Sequence, residues 1–226
     1  GVFILFVFSK MPDSNDKSSN KNIGLIFKKL AKNNHYSQGV IAQIFYVGAQ
    51  IMCWTYIYQY AEGIGIDNVT AGYYQMAAFI LFVVGRAIAT FLFRFFNSGK
   101  LLMIFALFAT VASLGVMLID NYMGLYCLVA VSLFMSLMFP TIYGIALGDL
   151  SEEESKIGSA GLVMAIVGGA LMPKFQGMII DIGGYNVDDV SILGMSEMNF
   201  SFILPLLCFV FIAFYGLKKI MKIDEK

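Results

Sequence analysis

The stretch LLMIFALFATVASLGVMLI, residues 101–119, carries no charged side chain and is long enough to cross a lipid bilayer as one helix. Five other segments have a similar length and a mostly apolar composition. The six predicted spans are residues 38–60, 71–94, 101–119, 122–148, 157–180 and 199–217. The sequence therefore predicts an all-α integral membrane protein.

The composition of the whole chain agrees with this prediction. Hydrophobic residues make up 59% of the 226 residues and charged residues 13%, whereas ordinary soluble domains contain about a quarter charged residues. A soluble protein of this length could not cover so much apolar surface. We therefore expect the lipid bilayer as a partner. We also expect no nucleic-acid partner, and the net charge of zero by itself says nothing about one.

Basic residues fall on one side of the predicted spans. Fourteen lysines and arginines lie before the first span, in alternate connections or in the tail, and the remaining loops, 61–70, 120–121 and 181–198, contain none. The fourteen are Lys10, Lys17, Lys21, Lys28, Lys29, Lys32, Arg86, Arg94, Lys100, Lys156, Lys218, Lys219, Lys222 and Lys226. By the positive-inside rule, we expect a multi-pass protein of the inner or plasma membrane with both chain ends in the cytoplasm.

The regions outside the spans have distinct compositions. Residues 1–8 are apolar but too short to span, so they resemble the end of an earlier helix, and the chain looks like the C-terminal piece of a longer protein. Residues 9–37 form a polar loop in which Ile23, Ile26, Phe27 and Leu30 repeat at helical spacing. This repeat predicts an amphipathic helix on the membrane surface, with a plain connector as the alternative. Residues 38–217 hold the six spans and residues 218–226 a cytoplasmic tail.

One side of the first span is polar and aromatic. Gln43, Tyr46, Gln50, Trp54 and Tyr58 lie within about 120° of one another on a helix. Amide groups pair well with neighbouring hydroxyls, and aromatic rings cover the C–H faces of a sugar. Because such a stripe is costly in lipid, it predicts a wet cavity that takes a sugar. Interhelical hydrogen bonds with an aromatic belt are the alternative.

Two later spans carry further candidate residues. In the fourth span, Ser132, Ser136, Phe139 and Tyr143 share a face beside Pro140, which predicts either a discontinuous helix at a midplane site or a packing kink. In the fifth span, small residues recur every four positions, which favours close helix packing. Those residues are Gly161, Ala165, Gly169 and Gly177. The fifth span also contains Lys174, which either reaches the outer surface or faces the cavity.

Charged residues cluster at the cytoplasmic ends of the second and fourth spans. Arg86 and Arg94 lie at one of these ends, and Asp149 and Glu152 lie at the other. We expect at least one arginine–carboxylate pair to form a cytoplasmic gate, with solvated loop charges as the alternative. The sequence from Ser151 to Glu154 also resembles a capping box at a helix start.

The side chains that enzymes and metal sites need are scarce inside the spans. The three cysteines lie in separate spans without CxxC spacing, and the chain has a single histidine. All fifteen aspartates and glutamates lie in loops, span ends or termini. We therefore expect no catalytic residue, no metal site, no cofactor and no enzyme activity.

Four segments of the chain carry a family resemblance: GVIAQIFYVGAQIMCWTYIYQYAE (39–62), FVVGRAIATFLFRF (82–95), SLFMSLMFPTIYGIALGDL (132–150) and SKIGSAGLVMAIVGGALMP (155–173). In order along the chain, they resemble the last six helices of the fucose–proton symporter family of the major facilitator superfamily. The resemblance covers nearly the whole chain and implies the six-helix half of a twelve-helix carrier. Residues 1–8 would then end helix six, and residues 9–37 would be the central loop. Lys174 departs from the family, in which an apolar residue or proline is expected.

The resemblance also implies a function. A carrier of this family would be a proton-coupled symporter that moves a monosaccharide such as L-fucose, glucose, galactose or an amino sugar by alternating access. The residues that handle the coupling cation, a proton by this resemblance, would lie mainly in the N-terminal half. The alternatives are a non-transporting membrane sensor or structural subunit, and a truncated half-carrier.

Overall fold

The computed structural model describes residues 23–183 and 191–224, so the predicted end of an earlier helix at residues 1–8 lies outside the described residues. Within these ranges the chain is helical apart from turns and one short bridge. The α-helices are α1 Ile23–Lys32, α2 Asn34–Thr55, α3 Ile57–Gly63, α4 Asn68–Leu92, α5 Ser98–Leu118, α6 Tyr122–Met135, α7 Met138–Leu147, α8 Glu152–Met164, α9 Val167–Ile180, α10 Glu197–Ser201 and α11 Ile203–Asp224.

In the described ranges the helices form six segments that are long and apolar enough to cross a membrane, when a bent pair is counted as one segment. Five are continuous or nearly so, and the sixth is the pair α2–α3, which bends by 41° at Tyr56. The other segments are α4, α5, α6 with α7, α8 with α9, and α10 with α11. Each overlaps one predicted span, so the predicted all-helical fold is confirmed.

Side-chain caps fix where several helices begin. The caps are Asn33 for α2, Asp67 for α4, Asn97 for α5, Asn121 for α6 and Ser151 for α8. Ser151 and Glu154 form the predicted capping box, because each side chain bonds to the other residue's backbone N–H. Hydrogen bonds from Thr70 hold the pKa of the Asp67 carboxyl below its usual value.

The first long helix, α2, lies at the centre of the fold. It packs against α7, α9 and α11, while α5 packs between α6 and α11. Large side chains fill this core, and Tyr46, Tyr60, Phe202 and Phe209 are completely buried. The amphipathic segment forms α1, whose Leu30 is buried against Tyr36, Ala146 and Leu162. Lys29 of α1 also pairs with Glu154 at 2.7 Å, so α1 is attached to α8.

Small residues bring α2 close to α8 and α9. A methyl group on Gly168 would collide with the backbone carbonyl of Ile44, and one on Gly169 would lie 2.9 Å from the Ile51 side chain. At the other end of the segment, a methyl group on Gly161 would collide with the Tyr36 hydroxyl. The glycine-rich fifth span therefore permits close backbone packing, as small residues do between membrane helices.

Candidate functional site

The polar stripe of the first span runs from the buried part of the fold to its surface. Gln43 and Tyr46 are 0% exposed, Gln50 and Trp54 are half-buried, and Tyr58 on α3 is 39% exposed. The bend between α2 and α3 lies between Trp54 and Tyr58. The exposure of the stripe therefore increases from its buried Gln43 end toward Tyr58.

The buried end of the stripe contains polar atoms without partners. Both polar atoms of the Gln43 amide and the hydroxyl of Tyr46 are buried and make no hydrogen bond within residues 23–183 and 191–224. Unpaired polar groups are rare in folded proteins because burying them is costly. A donor or acceptor that reaches this point therefore meets three unused hydrogen-bonding atoms.

Three side chains from two neighbouring helices contact Trp54. Its indole N–H donates to Ser132 Oγ on α6 at 3.1 Å. The rings of Phe79 and Phe82 on α4 meet it edge-on, with centroid distances of 5.0 and 5.2 Å. Edge-on aromatic pairs of this kind fix the orientation of a ring.

The candidate residues of the fourth span lie at a break in the helix. The break falls between Met135 and Met138, and Ser136 donates its hydroxyl to the Leu133 carbonyl at 2.7 Å. Beyond the break, the rings of Phe139 and Tyr143 are stacked, with centroids 6.3 Å apart. Ser136 and Leu137 keep right-handed helical dihedral angles, and Tyr122–Leu147 counts as one span, so the interruption is local and the midplane site stays a prediction.

The two groups of candidate residues meet across helices α2, α6 and α7. Tyr46 packs against the edge of the Phe139 ring at a centroid distance of 6.1 Å, and Trp54 reaches Ser132. The structure thus forms two groups of contacts along α2. One contains Tyr46, Phe139 and Tyr143, and the other contains Trp54 and Ser132. Lys174 lies elsewhere, exposed on α9.

The arginines and carboxylates expected at the gate are distributed over several contacts. Arg86 donates from Nε and Nη2 to the Ser136 carbonyl oxygen, at 3.3 Å for both bonds. Arg94 and Glu152 are exposed, while Asp149 lies 3.5 Å from His35 Nε2. In this conformation Arg86 is therefore engaged with the helix break rather than with a carboxylate.

The Asp, Glu, Lys and Arg side chains of the described spans lie near the span ends, apart from Arg86 and Lys174. The described carboxylates lie at helix ends or in connections. Among residues 23–183 and 191–224, no group of three or more His, Cys, Asp or Glu side chains could hold a metal ion. The site is thus built from neutral amides, hydroxyls and rings.

Several known proteins are similar to this chain in sequence. No family model matches the chain. It is 49% identical over 224 residues to the L-fucose-proton symporter of Haemophilus influenzae, with 98% of this chain and 50% of that protein aligned. It is 30% identical to the L-fucose-proton symporter of Escherichia coli, which it matches over 95% of its own length and 48% of that protein. A glucose/galactose transporter of Brucella abortus is also 30% identical, and the alignment covers 95% of this chain and 49% of that protein.

The solved structures agree. The crystal structure of the E. coli fucose:proton symporter superposes with a TM-score of 0.79 at 29% identity, over 95% of this chain and 51% of that chain. A second structure of that transporter, in the outward conformation, gives a TM-score of 0.80 over 95% and 50%. The chain is thus similar to the C-terminal half of fucose–proton symporters. It spans about half the length of the curated relatives that it matches.

The chain has the fold that the resemblance implied: its described residues form six apolar segments long enough to span a membrane, and it superposes on half of a major facilitator superfamily transporter. Sequence reasoning found the candidate faces of α2 and of α6–α7 but missed Phe79 and Phe82, which hold Trp54 in place. It also assigned Arg86 to a gate. The observed partner of Arg86 is the Ser136 carbonyl oxygen. The sequence signal for this partner was Pro140, which lies four residues after Ser136 and has no backbone N–H.

Proposed function

We propose that this chain is the C-terminal half of a sugar–proton symporter that works by alternating access. The alignment of 98% of the chain with an L-fucose-proton symporter at 49% identity carries this proposal. Other relatives are named as glucose/galactose transporters, so the substrate class is a monosaccharide. These names favour transport over a non-transporting sensor or subunit. The relatives also support the absence of enzyme activity.

In this proposal the sugar binds to the face formed by α2 and α6–α7. The candidate residues are Gln43, Tyr46, Gln50, Trp54, Ser136, Phe139 and Tyr143, and Lys174 stays a cavity candidate. Amides and hydroxyls recognise sugar hydroxyls, and rings cover its C–H surface. The unused atoms of Gln43 and Tyr46 support this placement, because a hydroxyl-rich ligand would pair them.

The coupling cation, which we take to be a proton, would be handled mainly by a preceding N-terminal half. The described carboxylates lie at helix ends or in connections, whereas proton relays within membranes commonly use acidic residues. Helices α4 and α8–α9 are the least buried of the spans and would supply the surface for that half. Reading the gene upstream of Gly1 for six further spans tests this part.

Both ends of the chain would face the cytoplasm, because thirteen basic residues of the loops, tails and span ends lie on one side of the spans. Asn68 and Ser98 are matched positions for a test, since each is the first helical residue after a capping residue. In a cysteine-free background, Asn68→Cys should react with an impermeant reagent outside intact cells. Ser98→Cys should not react. If Ser98→Cys were labelled and Asn68→Cys were not, the orientation would be the opposite of the one proposed.

A cytoplasmic gate would form between Arg94 and a carboxylate at the end of α7 or the start of α8. Arg86 already donates to Ser136, which leaves Arg94, an exposed residue just after the end of α4, to pair with a carboxylate. Arg94→Glu should slow transport, and Asp149→Arg or Glu152→Arg should partly restore it in the double variant. Restoration by neither partner would contradict the gate.

Transport by the complete carrier in proteoliposomes tests the main proposal. Labelled L-fucose, D-glucose, D-galactose and an amino sugar would be offered separately, each with an inward proton gradient, an inward sodium gradient or none. We expect accumulation of at least one sugar under the proton gradient and collapse of that accumulation with a protonophore. Accumulation driven only by sodium would refute proton coupling, and equilibration of none of the sugars would refute the sugar assignment.

A further inference from the structure

Pro140 lies in the first turn of α7 and has no backbone N–H. In a continuous helix, that N–H would donate to the carbonyl oxygen four residues earlier, which belongs to Ser136. Pro140 therefore deprives the Ser136 carbonyl oxygen of its helical donor. Because the spans lie in hydrocarbon, this carbonyl needs a partner from within the protein.

Arg86 on α4 supplies that partner. Its Nε and Nη2 both donate to the Ser136 carbonyl oxygen at 3.3 Å. The neighbouring Gly85 permits the approach, since a methyl group there would lie 2.6 Å from both the Leu133 carbonyl oxygen and Ser136 Oγ. The Gly85–Arg86 pair thus holds α4 against the helix break.

One aromatic ring links Arg86 to the proposed sugar site. The guanidinium carbon lies 5.1 Å from the centroid of Phe82, and Phe82 meets the Trp54 ring edge-on. Trp54 in turn donates to Ser132, one helical turn before Ser136 on α6. A continuous series of contacts therefore connects Ser132 on α6, Trp54 on α2, and Phe82 and Arg86 on α4 with the Ser136 carbonyl at the end of α6.

We propose that Arg86 is a positioning residue of the sugar site, which pairs the proline-freed Ser136 carbonyl and, through Phe82, fixes the orientation of the Trp54 indole. The inference rests on the proposed function, in which Trp54 stacks on the sugar. Arg86 itself does not touch the sugar. It acts through Phe82 and Ser136, so its loss loosens both the indole and the helix break.

The chemistry of arginine suits this role better than that of lysine. A guanidinium is planar, so it can direct two N–H groups at one oxygen while its flat face covers an aromatic ring. A lysine would keep the charge and one hydrogen bond but would lose the second bond and the planar stacking. Arg86→Lys should therefore retain part of the function that Arg86→Met loses.

The experiment uses the complete carrier with its other tryptophans replaced, because Trp54 is the single tryptophan of this chain. Arg86→Met is compared with Arg86→Lys and with Lys100→Met, which removes an exposed cation in the first turn of α5, outside the proposed gate. Trp54 emission, its quenching by acrylamide and calorimetric sugar affinity are measured for each. We expect Arg86→Met to raise the sugar Kd by roughly 2- to 30-fold and to increase quenching, with Arg86→Lys between it and the parent. Lys100→Met should match the parent.

A second background tests the proline directly. Pro140→Ala returns an N–H to the position that faces the Ser136 carbonyl, so the arginine becomes less necessary. Arg86→Met should then raise the Kd less in Pro140→Ala than in the parent. Where Arg86→Met alone does not fold, better recovery of the folded double variant supports the same conclusion. If Arg86→Met raised the sugar Kd by the same factor in the parent and in Pro140→Ala, the proposed pairing of Arg86 with the Ser136 carbonyl would be wrong.

The outcomes separate this inference from the proposed function. A parent carrier that binds no sugar refutes the sugar assignment, while the effect of Arg86→Met on Trp54 quenching still decides whether Arg86 positions the indole. A parent that binds sugar, with unchanged affinity and quenching in Arg86→Met, refutes the positioning role and leaves the sugar site intact. A changed affinity with unchanged Trp54 quenching also refutes it, since Arg86 would then act without the indole.

Discussion

The central helix α2 makes two unlike contacts along its length. Toward α9 it forms a glycine contact, in which Gly48, Gly168 and Gly169 meet backbone and aliphatic atoms such as those of Ile44. Toward α4 and α6 it forms a ring contact made of Trp54, Phe79, Phe82, Arg86 and Ser132. The glycine contact leaves no room for a side chain, whereas the ring contact consists of side chains that can rotate.

This difference suggests a division of roles. Close backbone packing between membrane helices stabilises the fold and tolerates little change in volume. Aromatic edges and hydrogen bonds hold a side chain in one orientation but can re-form with a ligand. We therefore expect substitutions in the glycine contact to affect stability most and substitutions in the ring contact to affect sugar binding most.

Gly168→Ala should produce the largest loss of stability. The added methyl group would collide with the Ile44 carbonyl, and backbone atoms cannot rotate away as a side chain can. We expect a cost of about 1–3 kcal/mol and a lower melting temperature of the detergent-solubilised carrier. Gly144→Ala is the matched control, because a methyl group there meets nothing within 4 Å. Equal melting temperatures for the two variants would contradict tight packing of α2 on α9.

Trp54→Ala should have the largest effect on sugar binding. The substitution removes the stacking surface together with the hydrogen bond to Ser132, so we expect the Kd from calorimetry to rise about tenfold or more, as stacking and one hydrogen bond together imply. Trp54→Phe should lose less, because a ring remains. Tyr73→Ala, which removes an exposed ring of α4, serves as the control. Unchanged affinity in a folded Trp54→Ala carrier would move the sugar site away from the ring contact.

The spans themselves were predictable because an apolar run of sufficient length has few alternatives to a membrane helix. Their breaks were less predictable. Pro140 marked the break of the fourth span, but Pro173 lies inside α9 without ending it. The fifth span is instead interrupted after Met164, and the first bends at Tyr56, at sites with no proline. Such interruptions depend on contacts with other helices, which local sequence does not specify.

The candidate site was predictable to a similar extent. Helical periodicity correctly places Gln43 and Trp54 on one side of α2, but it does not say which neighbour covers that side. In the fold, the Gln43 end is sealed and Trp54 is enclosed by rings of α4. The partner of Arg86 could be inferred only after α4 was known to lie beside the α6–α7 break. Pairing between distant segments is a tertiary property that a single sequence leaves open.

Gln50→Ala should have a smaller effect than Trp54→Ala. Gln50 is half-buried beside the ring contact, and its amide can pair with two sugar hydroxyls. A hydrogen bond between neutral groups is worth about 0.5–1.5 kcal/mol, which corresponds to a rise in Kd of roughly a few-fold to tenfold. Gln59→Ala provides the control, because it removes an exposed amide of α3. The same rise in Kd for both variants would show that Gln50 has no specific contact with the sugar.

Glu154→Gln should give the smallest effect, because it changes a contact between surface groups. Lys29 is largely exposed, and exposed ion pairs are worth about 0–1 kcal/mol. Glutamine keeps the capping box with Ser151, so this variant removes only the charge opposite Lys29. Glu154→Ala removes the cap as well and should cost about 1 kcal/mol more. Melting temperatures measured at low and high salt separate the two contributions, since salt screens the ion pair but not the cap. A difference between Glu154→Gln and the parent that persists at about 1 M salt would show that α1 is held to α8 by more than this charge pair.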